Sequence, residues 1–162
     1  MIPRRFKMFL ALLAVAFLSV VPFALADDLI VVATDRTIQE SQAWVDFLKS
    51  NEVPVRSVGP EYYSNYKGAG FIVIMGGLDE PGGIKDIAEE VLGKEELESV
   101  TRGNTGRMFL KPDLWTSGQY VVLFVGPDGK AAIEARKANK EKWWDIITEY
   151  FEIEGSGGFH TY

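Results

Sequence analysis

Three continuous runs of apolar residues, each ending at turn residues, constrain the fold of this 162-residue chain more than any other feature. The runs are Leu29–Ala33, Phe71–Met75 and Tyr120–Val125. Such runs, rich in β-branched and aromatic residues and without polar alternation, are typical of strands buried on both faces. They therefore predict central parallel strands.

Two shorter segments also predict strands, and the first of them, Val53–Val58, is expected nearer an edge of the sheet. Val53–Val58 alternates more between apolar and polar residues, and Pro54 limits its pairing. Arg107–Leu110 is a further short strand, stopped by Pro112. Between the strands, apolar residues recur at helical spacing in four segments, which are Thr37–Ser50, Ile84–Leu92, Lys130–Ala138 and Trp143–Phe151.

This alternation of strands and helices implies right-handed β-α-β crossovers. We expect an α/β fold: a small doubly wound, mainly parallel sheet of about four to five strands with helices on both faces. One domain is predicted over residues 27–154. The Gly-rich residues 155–162 are expected to form a flexible tail.

The first 26 residues have the pattern of a targeting segment. Three cations within the first seven residues precede an uncharged run, 8–26, that ends in Ala24-Leu25-Ala26. That order is typical of a secretory signal peptide, so we expect export and cleavage before Asp27. The alternative is an uncleaved anchor, because the uncharged run approaches the roughly 20 residues that span a bilayer.

Charge and composition exclude several classes of function. The chain carries 17 Lys and Arg against 23 Asp and Glu; losing the three cations of the signal segment leaves 14 against 23, a net charge of -9. This charge opposes binding to nucleic acid and to anionic lipid, so membrane attachment would come only through residues 1–26. The chain has no cysteine and one histidine, His160 in the predicted tail, which excludes disulfides, thiolate metal sites and histidine-activated nucleophiles. Few Asn and Gln beside many Lys and Glu favour a thermophilic source.

Three aspartates, Asp35, Asp79 and Asp128, lie just beyond the ends of predicted strands. Ligands of open parallel sheets bind at the carboxyl ends of the strands, so these acids are candidates for a divalent-cation site of the kind that phosphoryl-transfer proteins use. The simpler interpretation is that each caps the helix that follows, where its carboxylate accepts backbone N–H bonds. The sequence favours the capping interpretation over the cation site.

A glycine-rich loop, Gly76–Gly83, follows the second apolar run. Gly76, Gly77 and Asp79 are candidates to bind a phosphate or another small polar ligand through exposed N–H groups. The loop lacks the Lys-Ser/Thr of a P-loop and the spacing of a dinucleotide fingerprint, and Asp79 and Glu80 would repel a phosphate. A tight turn or close packing against a neighbour is therefore favoured.

Two groups of aromatic residues are candidate binding surfaces. Tyr62, Tyr63 and Tyr66 would bind a sugar, another small polar ligand or a partner surface, or would cover the sheet edge with their hydroxyls in water. Trp143 and Trp144 are adjacent on the last predicted helix and lie about 100° apart around its axis. One of them is expected to be partly exposed unless something covers it, which would mark a docking surface.

Two segments have a distinctive order of residues. Residues 71–79 read Phe-Ile-Val-Ile-Met-Gly-Gly-Leu-Asp, and Trp115, Gly118, Gln119 and Val121 form the pattern Trp-x-x-Gly-Gln-x-Val. A Gly-x-Asp turn and an Ala-rich segment follow, with Ala131, Ala132 and Ala135. Together the two segments resemble the Gly-Gly strand turn and the Trp-x-x-Gly-Gln-x-Val strand of archaeal surface-layer (S-layer) α/β domains, over roughly residues 29–138.

The resemblance implies an exported, non-catalytic domain of the cell envelope, with no catalytic residue and no cofactor to carry over. The chain has one α/β unit and no β-rich lattice domain, so we expect a binding or structural module whose partner is an envelope protein or a second copy. Trp115 and Gln119 would precede a buried strand, where Trp fills volume and Gln satisfies loop backbone groups. Two alternatives remain open: an exported receptor for a small polar ligand, and a divalent-cation-dependent phosphoryl-handling domain that uses the acidic strand ends.

Overall fold

The structure is a computed structural model and describes residues 28–153. The predicted signal peptide, the predicted tail and His160 lie outside the described residues. The strands are β1 (Leu29–Val32), β2 (Val55–Val58), β3 (Phe71–Gly77), β4 (Arg107–Pro112) and β5 (Tyr120–Gly126). The helices are α1 (Asp35–Glu40), α2 (Gln42–Ser50), α3 (Ile84–Val91), α4 (Lys94–Gly103), α5 (Gly129–Ala138) and α6 (Lys140–Tyr150), with a 3₁₀ helix at Pro60–Tyr66.

The strands form one mainly parallel sheet. Their order is β2-β1-β3-β5-β4, and only β4 runs antiparallel, against β5. This confirms the predicted α/β class and the predicted mainly parallel sheet. The edge position expected for the alternating segment around Pro54 is also confirmed, because β2 forms one edge of the sheet.

The three apolar runs lie in the middle of the sheet, and alternate residues along them belong to two separate hydrophobic clusters. Leu29 and Val31 join a cluster with buried residues of α2, α5 and α6. Ile30 and Val32 join the other, with buried residues of α3, α4 and the 3₁₀ helix. All four side chains are at most 3% exposed, as the runs without polar alternation predict.

The helices differ from the prediction in two places. The segment Thr37–Ser50 forms two helices, α1 and α2, which meet at Ser41. Ser41 is buried, and its hydroxyl lies 3.9 Å from the sulfur of Met75. Helix α4 was not predicted, since it contributes only Leu97 and Val100 to a hydrophobic cluster. None of the helices within residues 28–153 is both long and apolar enough to cross a membrane.

The expectation that Trp143 or Trp144 is partly exposed is wrong. Both indoles are 3% exposed on α6. Helix α2 covers them, because Trp44 lies edge-on to Trp143 with ring centres 5.8 Å apart and Phe47 packs on Trp144 at 4.9 Å. The adjacent tryptophans therefore belong to the core between helices and do not mark a docking surface.

Candidate functional site

The candidate site lies at the carboxyl ends of β1, β3 and β5. The chain passes from β1 outward to β2 and then returns to β3 on the other side of β1. In open α/β sheets, ligands bind in the crevice where the strand order reverses in this way. The turns after β1, β3 and β5 meet here around a cleft of about 260 Å³.

Glu80 lies at the centre of this end of the sheet. Its Oε1 accepts a hydrogen bond from the hydroxyl of Thr37 at 3.0 Å, and its Oε2 lies 3.5 Å from the hydroxyl of Thr34. A methyl group on Gly129 would overlap Oε1, and one on Gly76 would lie 2.9 Å from Oε2. The carboxylate therefore occupies space that two glycines leave open, between the starts of α1 and α5. From the sequence, Glu80 was expected only to repel a phosphate, because its partner Thr37 lies 43 residues away and leaves no local signal.

The three candidate aspartates have different positions. Asp128 is the N-cap of α5, with its Oδ1 accepting from the N–H of Ala131 at 2.7 Å, as the capping interpretation predicts. Thr34, not Asp35, is the N-cap of α1, because the Thr34 hydroxyl accepts from the N–H of Thr37. Asp35 lies in the first turn, where a negative charge still favours the helix dipole.

Asp79 does not cap a helix, since the N-cap of α3 is Gly83. Its backbone N–H donates to the carbonyl of Pro127 at 3.1 Å, which brings Asp79 to the cleft that Asp128 also lines. Asp35 is not among the residues that line this cleft. Within residues 28–153, no group of three or more acidic or histidine side chains has the arrangement of a metal site.

The glycines of the predicted binding loop allow close packing. Gly76 and Gly77 are the last residues of β3 and are buried. A Cβ on Gly77 would overlap the backbone of Asp128, and one on Gly76 would lie 2.8 Å from a side-chain carbon of Ile84. These contacts favour the packing interpretation of the two glycines over the phosphate-binding one.

The three tyrosines lie on the 3₁₀ helix and do not line the cleft. Tyr62 is 55% exposed, whereas Tyr63 is 4% exposed. The Tyr63 ring packs edge-on against Trp115 at 5.6 Å, and the ammonium group of Lys67 lies over both rings. Burial raises the pKa of the Tyr63 hydroxyl well above its ordinary value. The tyrosines therefore do not join Asp79 in lining the cleft.

Gln119 satisfies loop backbone groups, as its position before a buried strand predicts. It is 1% exposed, and its Nε2 donates to the carbonyls of Lys67 at 2.8 Å and Ala69 at 2.7 Å. Its Oε1 accepts from the N–H of Trp115 at 3.1 Å. The amide thus joins the segments that precede β3 and β5, at the end of the sheet opposite to the cleft.

The cleft has an excess of negative charge. Four acidic side chains and two basic ones line it, which are Glu40, Asp79, Glu80 and Asp128 with Arg36 and Lys130. One of the cations is already paired, since Arg36 bonds Glu40 at 2.9 Å. A cation therefore fits this lining better than a phosphate does.

Comparisons of the chain with protein-family models, with curated proteins and with solved structures found no match.

Proposed function

We propose that this protein is an exported, non-catalytic binding or structural module of the cell envelope, of the S-layer-like kind that its sequence resembles. The observation that carries the proposal is that polar groups at the carboxyl ends of the strands already have hydrogen-bond partners within the fold. Glu80 is bonded to Thr37, and Asp128 caps α5, so these groups already stabilise the fold. A catalytic acid or nucleophile needs a polar group that is free to meet a substrate.

We also infer that the fold is doubly wound, with helices on both faces of the sheet. The two hydrophobic clusters support this inference, because alternate side chains of a strand point to opposite faces. One cluster combines one set of alternate strand residues with α2, α5 and α6. The other combines the second set with α3, α4 and the 3₁₀ helix.

The proposed envelope location is tested by expressing the full chain in an archaeal host, fractionating the cells and measuring the intact mass of the product. An envelope module gives a product in the envelope fraction that begins at Asp27, or that keeps residues 1–26 as an anchor. A product in the cytosol with residues 1–26 intact contradicts the proposal.

A second candidate function is a receptor for a small cationic ligand, such as an alkyl diamine. The excess of acidic side chains in the cleft favours it over a receptor for an anion. A ligand that binds only the folded state at 100 times its Kd adds about 2.7 kcal/mol to the free energy of unfolding. The test is the melting temperature of the purified protein with 1,4-diaminobutane, with Asp79→Asn as the cleft variant and Asp86→Asn, on the exposed surface of α3, as the control.

A rise in melting temperature that Asp79→Asn abolishes and Asp86→Asn keeps supports the receptor. No rise in the unmutated protein contradicts it. The same experiment with millimolar Mg²⁺, Ca²⁺ or Mn²⁺ tests the phosphoryl-handling alternative, which requires a clear metal-dependent rise. That alternative has the weaker support, because its substrate would meet the negative charge of the cleft.

A further inference from the structure

A buried arginine lies at the junction of α2, α5 and α6. Arg136, on α5, is 8% exposed, and its guanidinium carbon lies 4.9 Å from the ring centre of Trp44 on α2. Its backbone carbonyl accepts a hydrogen bond from the indole N–H of Trp143 on α6 at 2.9 Å. Stacking on an indole stabilises a guanidinium but uses none of its N–H donors.

Two donors of this stacked pair have no acceptor. Within residues 28–153, the Nε of Arg136 and the Nε1 of Trp44 are enclosed and make no hydrogen bond. Trp44 is 4% exposed, so both residues are more than nine-tenths buried. A buried donor without an acceptor is costly, and two such donors on residues in contact are unusual in a folded protein.

The charge of Arg136 also has no partner in the described part of the chain, where none of the ion pairs includes it. The nearest acid in sequence, Glu134, bonds Lys137 at 2.9 Å. Loss of hydration lowers the pKa of the guanidinium to about 10, which still leaves it charged at neutral pH. Buried charges are ordinarily paired, because an isolated charge in a protein interior is costly.

We propose that Arg136 and Trp44 bind a carboxylate. A carboxylate presents two oxygens in one plane, which matches the fork of guanidinium donors, and an adjacent indole N–H supplies a third donor. Only Nε of the three guanidinium nitrogens is both enclosed and unpartnered, so the outer two remain within reach of solvent. An anion from the surface therefore meets the outer two nitrogens first, and it meets Nε and the indole N–H only when the side chains that enclose them move aside.

The local charge agrees with such a ligand. Residues 136–142 contain four cations and one acid, although the chain as a whole has a net charge of -6. This segment joins α5 to α6 and begins at Arg136 itself. A carboxylate that approaches this acidic protein is attracted to this region more than to the sheet-edge cleft. The carboxylate belongs either to a small molecule or to an acidic side chain of a second protein.

The test observes the two unpartnered donors directly by ¹H–¹⁵N NMR. The protein is purified from cells that express the full chain, in detergent micelles if residues 1–26 are retained. The probes are sodium acetate and a hexaglutamate peptide, with chloride and phosphate at equal ionic strength as controls. We expect saturable shifts of the Arg136 Nε–H and Trp44 Nε1–H signals with the carboxylates, and much smaller shifts of the Trp143 Nε1–H, which already has an acceptor.

The variant Arg136→Met removes the donor fork and keeps the apolar stem, and Arg102→Met, at an exposed arginine paired with Glu98, is the matched control. The first is expected to abolish the Trp44 shift and the second to retain it. The two Kd values are compared per carboxylate group. A lower Kd for acetate identifies a small-molecule ligand, and a Kd for the peptide that is at least tenfold lower identifies an acidic protein segment. Absence of saturable shifts in the unmutated protein, or equal shifts with phosphate or chloride, overturns the proposal even if Arg136→Met does not fold.

Discussion

The hydroxyl of Thr37 donates a hydrogen bond to Oε1 of Glu80 at 3.0 Å, across 43 residues of sequence. Thr37 is fully buried at the start of α1, and Glu80 belongs to the loop that follows β3. A hydrogen bond to a charged acceptor is roughly twice as strong as one between neutral groups. This contact therefore ties the two turns together at the point where the strand order reverses.

Thr37→Val removes that hydroxyl while keeping nearly the same shape. We expect a loss of about 2 kcal/mol in the free energy of unfolding, because a partly buried carboxylate loses its best donor. Urea denaturation at pH 7 measures the loss. Thr101→Val is the control, since that exposed hydroxyl bonds only carbonyls of its own helix, and its effect should stay within about 0.5 kcal/mol. Equal losses in the two variants would argue against a special role for the Glu80 contact.

Gly129→Ala places a methyl group where Oε1 of Glu80 lies. Alanine is favoured over glycine in a helix, so the expected loss of about 1–3 kcal/mol would come from displacement of the carboxylate. In the background of Glu80→Ala the same change should cost less than about 1 kcal/mol. A double-mutant cycle by urea denaturation measures this coupling. Gly68→Ala is the control, because no atom lies within 4 Å of its added methyl. Additive effects of the Gly129 and Glu80 changes would mean that the Glu80 carboxylate does not occupy the space beside Gly129.

Gln119→Met keeps the buried volume but removes all three side-chain hydrogen bonds to backbone groups. Each backbone group left without a partner costs about 1 kcal/mol or more, so we expect a loss of at least about 3 kcal/mol. The melting temperature should fall accordingly. Gln39→Met, at an exposed position of α1, should have almost no effect. Similar melting temperatures for the two variants would mean that water replaces the amide at these carbonyls.

The pH dependence of stability should change in Lys111→Met. The hydrogen bonds of the Lys111 ammonium to Glu96, at 2.6 and 2.7 Å, lower the pKa of that carboxyl, and the N–H of Gly93 acts in the same direction. A lowered pKa of an acid in the folded state stabilises the protein above its ordinary value of about 4.5, and this contribution is lost as the pH falls through the lowered value. Both side chains are partly exposed, so the loss at pH 7 should be at most about 1 kcal/mol.

Urea denaturation of Lys111→Met at pH 7 and at pH 2.5 tests this assignment. The variant should be less stable than the unmutated protein at pH 7, and the difference should become smaller at pH 2.5, because protonation removes the charge of Glu96 as the pH falls through its lowered pKa. Lys94→Met is the control, because Lys94 is largely exposed and 3.9 Å from its acidic partner. A loss of the same size at both pH values would assign the role of Lys111 to packing and not to charge.

The central strands could be predicted from sequence because the burial of every residue in a strand leaves a local signal. An uninterrupted run such as Phe71–Met75 is typical of a buried strand, and its five side chains are at most 1% exposed. The Asp128 cap and the backbone-binding role of Gln119 were also predictable, since each depends on groups within a few residues or on the chemistry of one side chain. Helix α4 was not, because two apolar positions in ten residues are too few for periodicity.

The sequence by itself determined the strand segments, their mainly parallel class, the absence of cysteine chemistry and the cap at Asp128. Only the tertiary structure decided that Glu80 reaches Thr37, that Trp44 and Phe47 cover the paired tryptophans, and that Arg136 is buried without an ion-pair partner among residues 28–153. The physical reason is the range of the forces. Strand burial and capping depend on neighbouring residues, whereas these three arrangements depend on which side chains the strand order and the packing of helices bring together.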